Sequence, residues 1–535
     1  MIQKLIRNPL LYIFLCALFI RTYRLGEIPS GFHVDEVKVG WNAYSILKTG
    51  KDDWGKAWQL HYNSFGDFRP TGYFYLTIPS ITIFGLNEFA VRFPSAFFGA
   101  LTAVPLFYFV NLLAKNKNVS YLSSLLLAFS PWHITLSRAT SEGIVSVFFV
   151  IIGIYFFFVS LTKSRKTYFI SSSFFLVSSY FFHHSARLLT PLFILIIFIF
   201  NPKVSFKISS VKKWSLFLII GLFVLTATFA SNKEARGRLS QVSIFNDLGI
   251  RHLRDKLPFE EGQNKVFTAR AFHNKLVLWG TRFVDEYSQY FSAKFLLSSG
   301  EAKPSRYNTV GNGVLTYAEF LFLIVGLIYI AKNKFSYLPF LLLLIAPFPA
   351  AMTTEDSPNL HRSILMIPFI ATICAFGLYK VNRSLGFILL TLNFIYFSHM
   401  YLVHNRVHEP IPLSRNVGVK EAIFAIDSLR KNYDLIYVTD IPDDIYPWYA
   451  FYTKQNPQVF NEKAKERDKG EWEFENIVFG KIKCPSRDVK PEISAQKTLL
   501  IDAEGCNTDP EKTSLKKILE IKRPEGGIPY TFWSN

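Results

Sequence analysis

The amino-acid sequence predicts a multi-pass α-helical membrane protein that ends in a small C-terminal α/β domain, and three observations lead to this fold class. Half of the 535 residues are hydrophobic, and Phe alone occupies 54 positions, which is far above the usage of soluble proteins. Long apolar runs recur from the N-terminus to about residue 400. Beyond residue 410 the charge density rises, and strand-like segments follow a helical one.

The apolar runs predict about eleven transmembrane helices, because an α-helix needs ~20 residues to cross a bilayer. Several runs are shorter than this, so the count carries a margin of one or two. The first run has the basic start of a signal peptide, but its exit RTYRLGEIP offers no small-residue cleavage site and predicts a retained helix. The predicted spans lie near residues 9–25, 93–113, 119–136, 143–161, 168–184, 187–201, 214–230, 314–331, 336–352, 363–380 and 384–403.

The loops between these spans account for most of the net charge of +19. With a cytoplasmic N-terminus, the inner loops contain Lys and Arg and no acidic residue, which is the positive-inside pattern of a plasma-membrane protein. The charge therefore indicates orientation and does not indicate a nucleic-acid partner. The basic inner segments are Lys4 with Arg7, AKNKN (114–118), TKSRKT (162–167), NPKVSFKISSVKKW (201–214), AKNK (331–334) and KVNRS (380–384).

The outer connections hold nearly all of the acidic, His and membrane-edge Arg residues. In the first outer loop, 26–92, VKVGWNAYSILKTG has the apolar spacing of an amphipathic helix in the membrane interface. TGYFYLTIPSITIFG (71–85) is short and contains Pro79, so we predict a re-entrant or interfacial segment. The other outer segments are SRATSE (137–142), HHSAR (183–187), the long segment 231–313 and TTEDSPNLHR (353–362).

Residues 410–535 form the second predicted domain, after a transmembrane domain of residues 1–409. NVGVKEAIFAIDSLRKN predicts an amphipathic helix, and DLIYVTD and KTLLIDAE predict strands, which together indicate a small extracytoplasmic α/β domain. Cys484 and Cys506 lie in this domain, where a disulfide can form. Spacing alone does not decide whether they pair.

Asp35 and Glu36 stand side by side in the first outer loop, just before a predicted helix. One interpretation is structural, with Asp35 as the N-cap of the helix and Glu36 in its first turn. The other is functional, since a carboxylate held at the membrane surface is a general base for a hydroxyl acceptor. From the residues alone, both interpretations stay open.

Basic side chains at the outer ends of the spans would give such a base an anionic partner. Arg offers paired donors to phosphate oxygens, so several Arg residues on one face predict an anionic lipid head group. Each Arg taken singly is also typical of a snorkelling anchor. The candidates are Arg69 in the first loop, Arg138 near Glu142, Arg187 at the end of HHSAR, and His361 with Arg362.

A metal site is an alternative use of some of these residues. His183, His184 and His361 could join the carboxylates around a divalent cation, but no His-x-x-His or Glu-x-x-His spacing is present. Zinc is therefore the weaker interpretation, and metal dependence stays open. The sequence has no Gly-rich phosphate loop, so no nucleotide cofactor is expected.

The outer-face motifs resemble the GT-C superfamily of membrane glycosyltransferases, above all the protein O-mannosyltransferases and the lipid A aminoarabinose transferases. The likeness covers about residues 10–400 and is strongest over 24–110, where SGFHVDE, FRPTGYFYL and FGLNEFAVRFPSAFFGALTAVPLFYF follow one another in the order of the family. Later similar segments are SPWHITLSRATSE, YFFHHSARLLTPL, FLLSSGEAKPSRYNTVGNGVL and SPNLHRSILMIPFIATICAFGL.

This resemblance implies the transfer of a sugar from a polyprenyl-phosphate carrier to an acceptor on the outer side of the membrane. It makes Asp35 the catalytic carboxylate and Glu36 its partner. Arg69, where the family commonly has Lys before proline, would contact the carrier phosphate. Glu142 would take a second acidic position, where many relatives have Asp.

The implied reaction inverts the anomeric carbon, because the acceptor hydroxyl attacks it from the face opposite to the departing phosphate. Arg69, Arg187 and Arg362 would stabilise the negative charge on that phosphate. The sequence identifies neither the sugar nor the acceptor, which could be a protein, a lipid or a glycan.

A transporter or flippase of lipid-linked sugars is the alternative function. Transporters place polar residues at the membrane midplane on broken helices, whereas the polar residues here collect at one end of the spans. A non-catalytic sugar receptor is a weaker alternative still, since the chain has no recognisable signalling domain.

Overall fold

The computed structural model describes residues 8–64, 67–163, 165–200, 210–231, 242–261, 266–301, 306–332, 337–489, 496–509 and 514–535. Lys4, Arg7 and parts of the predicted loops 201–214, 231–313 and 331–334 lie outside the described residues. All of the predicted site residues lie within them.

Helices form most of the described chain, as the long apolar runs predict. They are α1 (Pro9–Thr22), α2 (Val34–Thr49), α3 (Gly72–Phe84), α4 (Glu88–Leu101), α5 (Ala103–Ala114), α6 (Lys117–Phe129), α7 (Pro131–Ser137), α8 (Glu142–Lys163), α9 (Lys166–Ser179), α10 (His184–Phe200), α11 (Ser210–Ser231), α12 (Leu248–Glu261), α13 (Val266–Phe272), α14 (Lys275–Gln289), α15 (Tyr317–Lys332), α16 (Tyr337–Ile345), α17 (Phe348–Ala351), α18 (Ile367–Lys380), α19 (Arg383–Leu402), α20 (Ile411–Ser414), α21 (Val419–Leu429), α22 (Tyr446–Tyr452), α23 (Pro457–Ala464) and α24 (Pro485–Asp488).

Each predicted span overlaps at least one of these helices. Within the described residues, four helices are long and apolar enough to cross a membrane: Glu88–Ala114, Glu142–Lys163, Lys213–Ser231 and Arg383–Arg406. Shorter apolar helices are Pro9–Thr22, Gly72–Phe84, His184–Phe200, Tyr337–Ala351 and Ile364–Lys380. The helical membrane class is confirmed, while the number of spans and their orientation stay predictions.

Many of the apolar helices pack around one large core cluster, and glycines let two of them approach closely. On α18, a Cβ at Gly377 would lie 1.9 Å from the carbonyl oxygen of Phe322 on α15. The reverse holds for Gly326 on α15, where a Cβ would lie 2.0 Å from the carbonyl oxygen of Ile373. Small residues at such contacts are how membrane helices gain packing where lipid removes the hydrophobic drive for association.

Helix α2 is not the interfacial helix that its amphipathic pattern predicts. Val37 and Trp41 on its apolar face are buried, and the Trp41 indole N–H donates to Asn461 Oδ1 of α23 at 3.0 Å. Trp448 of α22 donates to the carbonyl oxygen of Phe32, just before α2, at 2.7 Å. C-terminal residues therefore cover this face in place of lipid, because an apolar stripe does not itself specify what covers it.

The first outer loop contains a two-stranded antiparallel hairpin, β1 (His61–Ser64) with β2 (Asp67–Pro70). It leads directly into α3, which runs as one helix through Pro79. The hairpin matters for the site because it carries Arg69.

The C-terminal residues form a six-stranded mixed sheet in the order β4-β5-β3-β6-β8-β7. The predicted helix and both predicted strands are confirmed as α21, β3 and β6. Cys484 and Cys506 form a disulfide. The domain boundary after residue 409 stays a prediction. The strands are β3 (Leu435–Thr439), β4 (Glu471–Phe474), β5 (Ile477–Gly480), β6 (Thr498–Ala503), β7 (Lys516–Ile521) and β8 (Tyr530–Ser534).

Candidate active site

The start of α2 is fixed by a capping box that leaves the side chain of Asp35 free for other contacts. His33 is the N-cap, and its Nδ1 accepts from the backbone N–H of Asp35 at 3.0 Å. Glu36 closes the box, since its Oε2 accepts from the backbone N–H of His33 at 3.2 Å. The prediction that Asp35 is the N-cap is wrong, because the helix begins at Val34 and His33 takes the capping role.

Asp35 lies between two arginines that come from distant parts of the chain. Its Oδ1 is 2.7 Å from Arg69 Nη1, and its Oδ2 is 2.5 Å from Arg306 Nη1. The carboxylate is 19% exposed. Burial by itself raises the pKa of Asp35, but the two guanidinium groups outweigh it and hold that pKa well below the usual range. Asp35 is therefore a charged carboxylate with each oxygen on a different cation.

Glu36 points the other way, into the protein, and is 3% exposed. Its carboxylate accepts two hydrogen bonds from Arg92 of α4, each of 3.0 Å, and one from Arg415 at 2.7 Å. The backbone N–H of Thr140 donates a fourth at 3.0 Å. These donors overcome the effect of burial and lower the pKa of Glu36. Glu36 is fully engaged and connects α2 to the bundle and to the C-terminal residues.

The hairpin holds Arg69 in place beside Asp35. Arg69 is paired across the two strands with Tyr62, whose hydroxyl donates to Asp53 Oδ2 at 3.0 Å. Thr71, directly after β2, is the N-cap residue of α3, and its hydroxyl donates to the carbonyl oxygen of Gln59. The basic residue before Pro70 is thus presented by a short, anchored element.

Glu142 and His361 come together in a second polar group next to the first. His361 Nε2 lies 3.0 Å from Ser141 Oγ and 4.0 Å from Glu142 Oε2. The imidazole stacks on Tyr307 at 5.7 Å between ring centres, and the guanidinium of Arg306 lies 4.8 Å from the same phenol ring. Tyr307 therefore lies between this group and Asp35.

The His361 imidazole is neutral at physiological pH. Burial and the nearby cations Arg306, Arg69 and Arg362 lower its pKa to about 3. A neutral imidazole can donate or accept a hydrogen bond, so His361 can contact a sugar hydroxyl in either sense.

The other three arginines predicted as phosphate ligands contact groups other than Asp35 in the described part of the chain. Arg138 is 2% exposed and donates to the carbonyl oxygens of Ile20, Tyr23 and Ile28 at 2.5, 2.7 and 3.0 Å. This environment favours a structural anchor.

Arg362 and Arg187 are also bound by groups of their own surroundings. Arg362 donates to Thr353 Oγ1 and to Glu355 Oε2, both at 3.0 Å. Arg187 donates to the carbonyl oxygen of Tyr180 at 3.0 Å. In the described part of the chain, the cations at Asp35 are thus Arg69 and Arg306.

Sequence reasoning missed Arg306 and Arg415. Arg306 is 271 positions from Asp35, and Arg415 is 379 positions from Glu36. The one available signal was the stretch KPSRYN within a segment that resembles the family, which contains Arg306. A contact between residues so far apart leaves no periodic pattern in the sequence.

The metal interpretation gains no donor set from the described residues. Among them, no three His, Cys, Asp or Glu side chains lie close enough together to hold a metal ion. Metal dependence stays a prediction without assigned ligands.

A family model and several solved structures are similar to this chain. A family model described as dolichyl-phosphate-mannose-protein mannosyltransferase matches residues 69–229. The structure of ArnT from Cupriavidus metallidurans bound to undecaprenyl phosphate is similar with a TM-score of 0.52 and 10% identity, over 98% of each chain. No curated protein sequence matches the chain.

Two further structures are similar at lower scores. AglB, the oligosaccharyltransferase of Archaeoglobus fulgidus in complex with an inhibitory peptide and a dolichol-phosphate, has a TM-score of 0.47 and 13% identity over 84% of this chain. This chain spans 64% of AglB, less than two thirds of its length. The arabinofuranosyltransferase AftD from Mycobacteria has a TM-score of 0.42 and 11% identity, over 99% of this chain and 40% of that one.

The chain is a helical membrane protein with a small C-terminal sheet domain, and its charged site lies where the helices end. Within that class, the chain has the fold of ArnT. The resemblance to GT-C membrane glycosyltransferases of the O-mannosyltransferase and ArnT type is confirmed.

Proposed function

We propose that this protein is a glycosyltransferase that moves a sugar from a polyprenyl-phosphate carrier to an acceptor on the outer side of the plasma membrane, with inversion. The observation that carries the proposal is the Asp35 carboxylate, with Arg69 on one oxygen and Arg306 on the other. The mannosyltransferase family match covers residues 69–229 and so includes Arg69.

Arg69 and Arg306 bind the phosphate of the carrier in this proposal. Guanidinium groups form paired, charge-assisted hydrogen bonds with phosphate oxygens. As the bond between the anomeric carbon and the phosphate oxygen breaks, negative charge grows on the phosphate, and each preorganised donor lowers the barrier by ~3 kcal/mol. The two arginines therefore act on the leaving group.

Asp35 is the general base. While both of its oxygens are held by arginines, its pKa is too low for efficient proton transfer at neutral pH. The carrier phosphate competes for the same arginines, so its binding raises the pKa of Asp35 toward the ordinary value. The acceptor hydroxyl then gives its proton to Asp35, its oxygen forms a bond to the anomeric carbon, and the carrier phosphate leaves with the bonding electron pair.

Glu36 acts through position in this proposal and does not touch the reacting atoms. The hydrogen bonds that it accepts from Arg92, Thr140 and Arg415 fix the first turn of α2 against α4 and the C-terminal residues. Glu142, with the neutral imidazole of His361, forms the wall that faces the sugar or the acceptor. Arg138 keeps the first outer loop attached to the bundle.

The direct test is sugar transfer by the purified protein in liposomes. A panel of radiolabelled undecaprenyl-phosphate sugars is offered with extracted cell-envelope acceptors, and the carrier that is consumed identifies the donor. Asp35→Asn should abolish transfer, whereas Asp488→Asn, at an exposed position of the C-terminal domain, should not change it. Equal rates for Asp35→Asn and the unmutated protein would remove the base from the mechanism.

The orientation has its own test. A cysteine at position 64, in β1 of the first outer loop, should react with an impermeant thiol reagent in intact cells. The background carries Cys16→Ser, because Cys16 is exposed, whereas Cys374 is buried. Labelling that appears after lysis alone would place the site on the inner side.

The comparisons give no support to a transporter of lipid-linked sugars. Counterflow of a labelled carrier in the same liposomes, without any transfer, is the result that would favour the transporter.

A further inference from the structure

Phe229, in the last turn of α11, has Arg187 and His61 packed on its ring, away from the site at Asp35. The guanidinium of Arg187 lies over its ring at 4.2 Å, and the His61 imidazole meets the ring edge-on at 5.7 Å between centres. Tyr180 and Phe181 contact the same ring. Arg187, His61 and Phe229 are called the Arg187 cluster below.

Arg187 is a buried cation without a carboxylate partner. It is 6% exposed, its Nε donates to the Tyr180 carbonyl oxygen, and its Nη1 lies 3.3 Å from His184 Nδ1. In the described parts of the chain, no Asp or Glu forms an ion pair with it. Removing a guanidinium from water without a counter-charge costs several kcal/mol. The positive charge of Arg187 is therefore not balanced by a carboxylate among the described residues.

Arg138 is another buried arginine of the same protein, and its Nε has no hydrogen-bond partner within the described residues. It also has no carboxylate partner among the described residues, but it donates to three backbone carbonyl oxygens. Arg187 has one such carbonyl. Arg187 therefore donates to fewer backbone carbonyl oxygens than Arg138, and no carboxylate among the described residues balances its charge.

His61 adds a buried ring nitrogen that lacks a hydrogen-bond partner among the described residues. It is 4% exposed, and its Nε2 has no hydrogen-bond partner within the described residues. Burial and the neighbouring Arg187 lower the pKa of His61 to about 4, so at neutral pH the ring is uncharged and Nε2 can carry a hydrogen. A buried N–H without a hydrogen-bond partner, next to a cation without a carboxylate partner among the described residues, is a donor set that suits an anion.

The hairpin separates this group from the site at Asp35. Arg69 is paired across the strands with Tyr62, whereas His61 is paired with Pro70. Successive residues of a strand point to opposite faces. Arg69 with Asp35 therefore lies on one face of the hairpin, and His61 with Arg187 on the other.

We propose that the Arg187 cluster is a second phosphate site, which binds the phosphate head group of a membrane lipid. Arg187 is in the first turn of α10 and Phe229 in the last turn of α11, so the cluster lies where two apolar helices end, at the depth of lipid head groups. The neighbouring face of α11 exposes Val224 and Phe217. The phosphate oxygens accept from Arg187 and from His61 Nε2, and the acyl chains pack against α11.

The experiment measures phosphate binding and needs no sugar transfer, so its outcome is independent of the proposed function. The full-length protein with Arg69→Gln and Arg306→Gln has its first phosphate site removed. In detergent, dihexanoyl phosphatidic acid should still bind to it with a stoichiometry of one by native mass spectrometry.

Addition of Arg187→Gln should weaken this binding at least ~10-fold, the effect of one charge-assisted hydrogen bond. His61→Phe keeps the ring contact with Phe229 and removes Nε2. It should therefore also weaken binding, by ~3-fold. Loss of all binding in the starting background, or equal affinity before and after His61→Phe, would overturn the proposal even where Arg187→Gln fails to fold.

Inorganic phosphate is the second probe, because a free phosphate has the same head-group chemistry. Phosphatidic acid should bind at least ~10-fold more tightly, since its acyl chains bury apolar area on α11. Equal affinities would show that the cluster takes free phosphate and would overturn the lipid assignment.

Discussion

Asp35 and Glu36 are chemically similar neighbours in one helical turn, yet their side chains lie in different surroundings. Asp35 faces an open site with Arg69 and Arg306 and is 19% exposed. Glu36 faces the interior, where Arg92 and Arg415 donate to it. Successive residues of a helix point ~100° apart, so one turn can present one carboxylate to a ligand and bury the next. The two adjacent carboxylates of the sequence therefore lie in two separate environments in the structure.

The first prediction concerns replacement of Asp35, the more exposed of the two carboxylates. Asp35→Asn should lower the transfer rate by ~10⁴-fold, the upper range for loss of a general base, while the protein stays folded because Arg69 and Arg306 keep access to water and ions. Transfer kinetics and size-exclusion elution of the same preparation check both halves. A rate within tenfold of the unmutated protein would give Asp35 the structural role and end the contrast with Glu36.

The second prediction concerns replacement of Glu36, the buried carboxylate. Glu36→Gln should lower the free energy of unfolding by ~3–5 kcal/mol, because Arg92 and Arg415 are left as unpaired buried charges. The pKa of Glu36 is held low, so its stabilisation is present above the unfolded carboxyl pKa and is lost as the pH falls through the lower, folded one. Thermal unfolding in detergent at several pH values measures the effect. Glu27→Gln, at an exposed pair in the same loop, is the control that should leave stability unchanged.

A smaller change sharpens the role of the cations at Asp35. Arg306→Gln should lower kcat/KM for the donor by ~10²-fold, since one preorganised donor to the phosphate is lost. The pKa of Asp35 should rise, so the acid side of the pH–rate profile should move to higher pH. Arg306→Lys should recover part of the rate. An unmoved acid limb would mean that Arg306 does not control the ionisation of Asp35.

The smallest effect is expected at Arg362, which the sequence predicts as a phosphate ligand. Its guanidinium is occupied by Thr353 and Glu355 of its own loop, so Arg362→Gln should change the donor KM by less than ~3-fold. Donor titrations with the liposome assay measure it. A tenfold rise in KM would extend the phosphate site beyond Arg69 and Arg306.

The sequence predicted what depends on local pattern. Apolar runs predicted the helices, and α21, β3 and β6 of the C-terminal domain were predicted from periodicity. The Cys484–Cys506 pair was left open by the sequence and is formed in the structure. Asp35 and Arg69 were predicted to share a site, and they are in contact; their catalytic roles stay predictions.

Features that depend on contacts between distant residues were missed or were assigned the wrong role from the sequence. His33 took the capping role from Asp35, because an imidazole nitrogen is not among the usual capping groups. The apolar face of α2 was interpreted as lipid-facing, since nothing near Trp41 in the sequence indicates Asn461 as its partner. Arg138 was expected at a phosphate, although backbone carbonyl oxygens, which every residue has, hold it in place.

The contact between Glu36 and Arg415 also affects the order in which the protein can be made. The two residues are 379 positions apart, and a ribosome adds about 5–20 residues per second. After Glu36 emerges, roughly 20–75 seconds pass before Arg415 is synthesised. Arg92 follows Glu36 by 56 positions, so for most of that time Glu36 has Arg92 as a partner and lacks Arg415. The nascent chain therefore exposes an unfinished site until its last quarter arrives, which makes the C-terminal residues the final step of assembly.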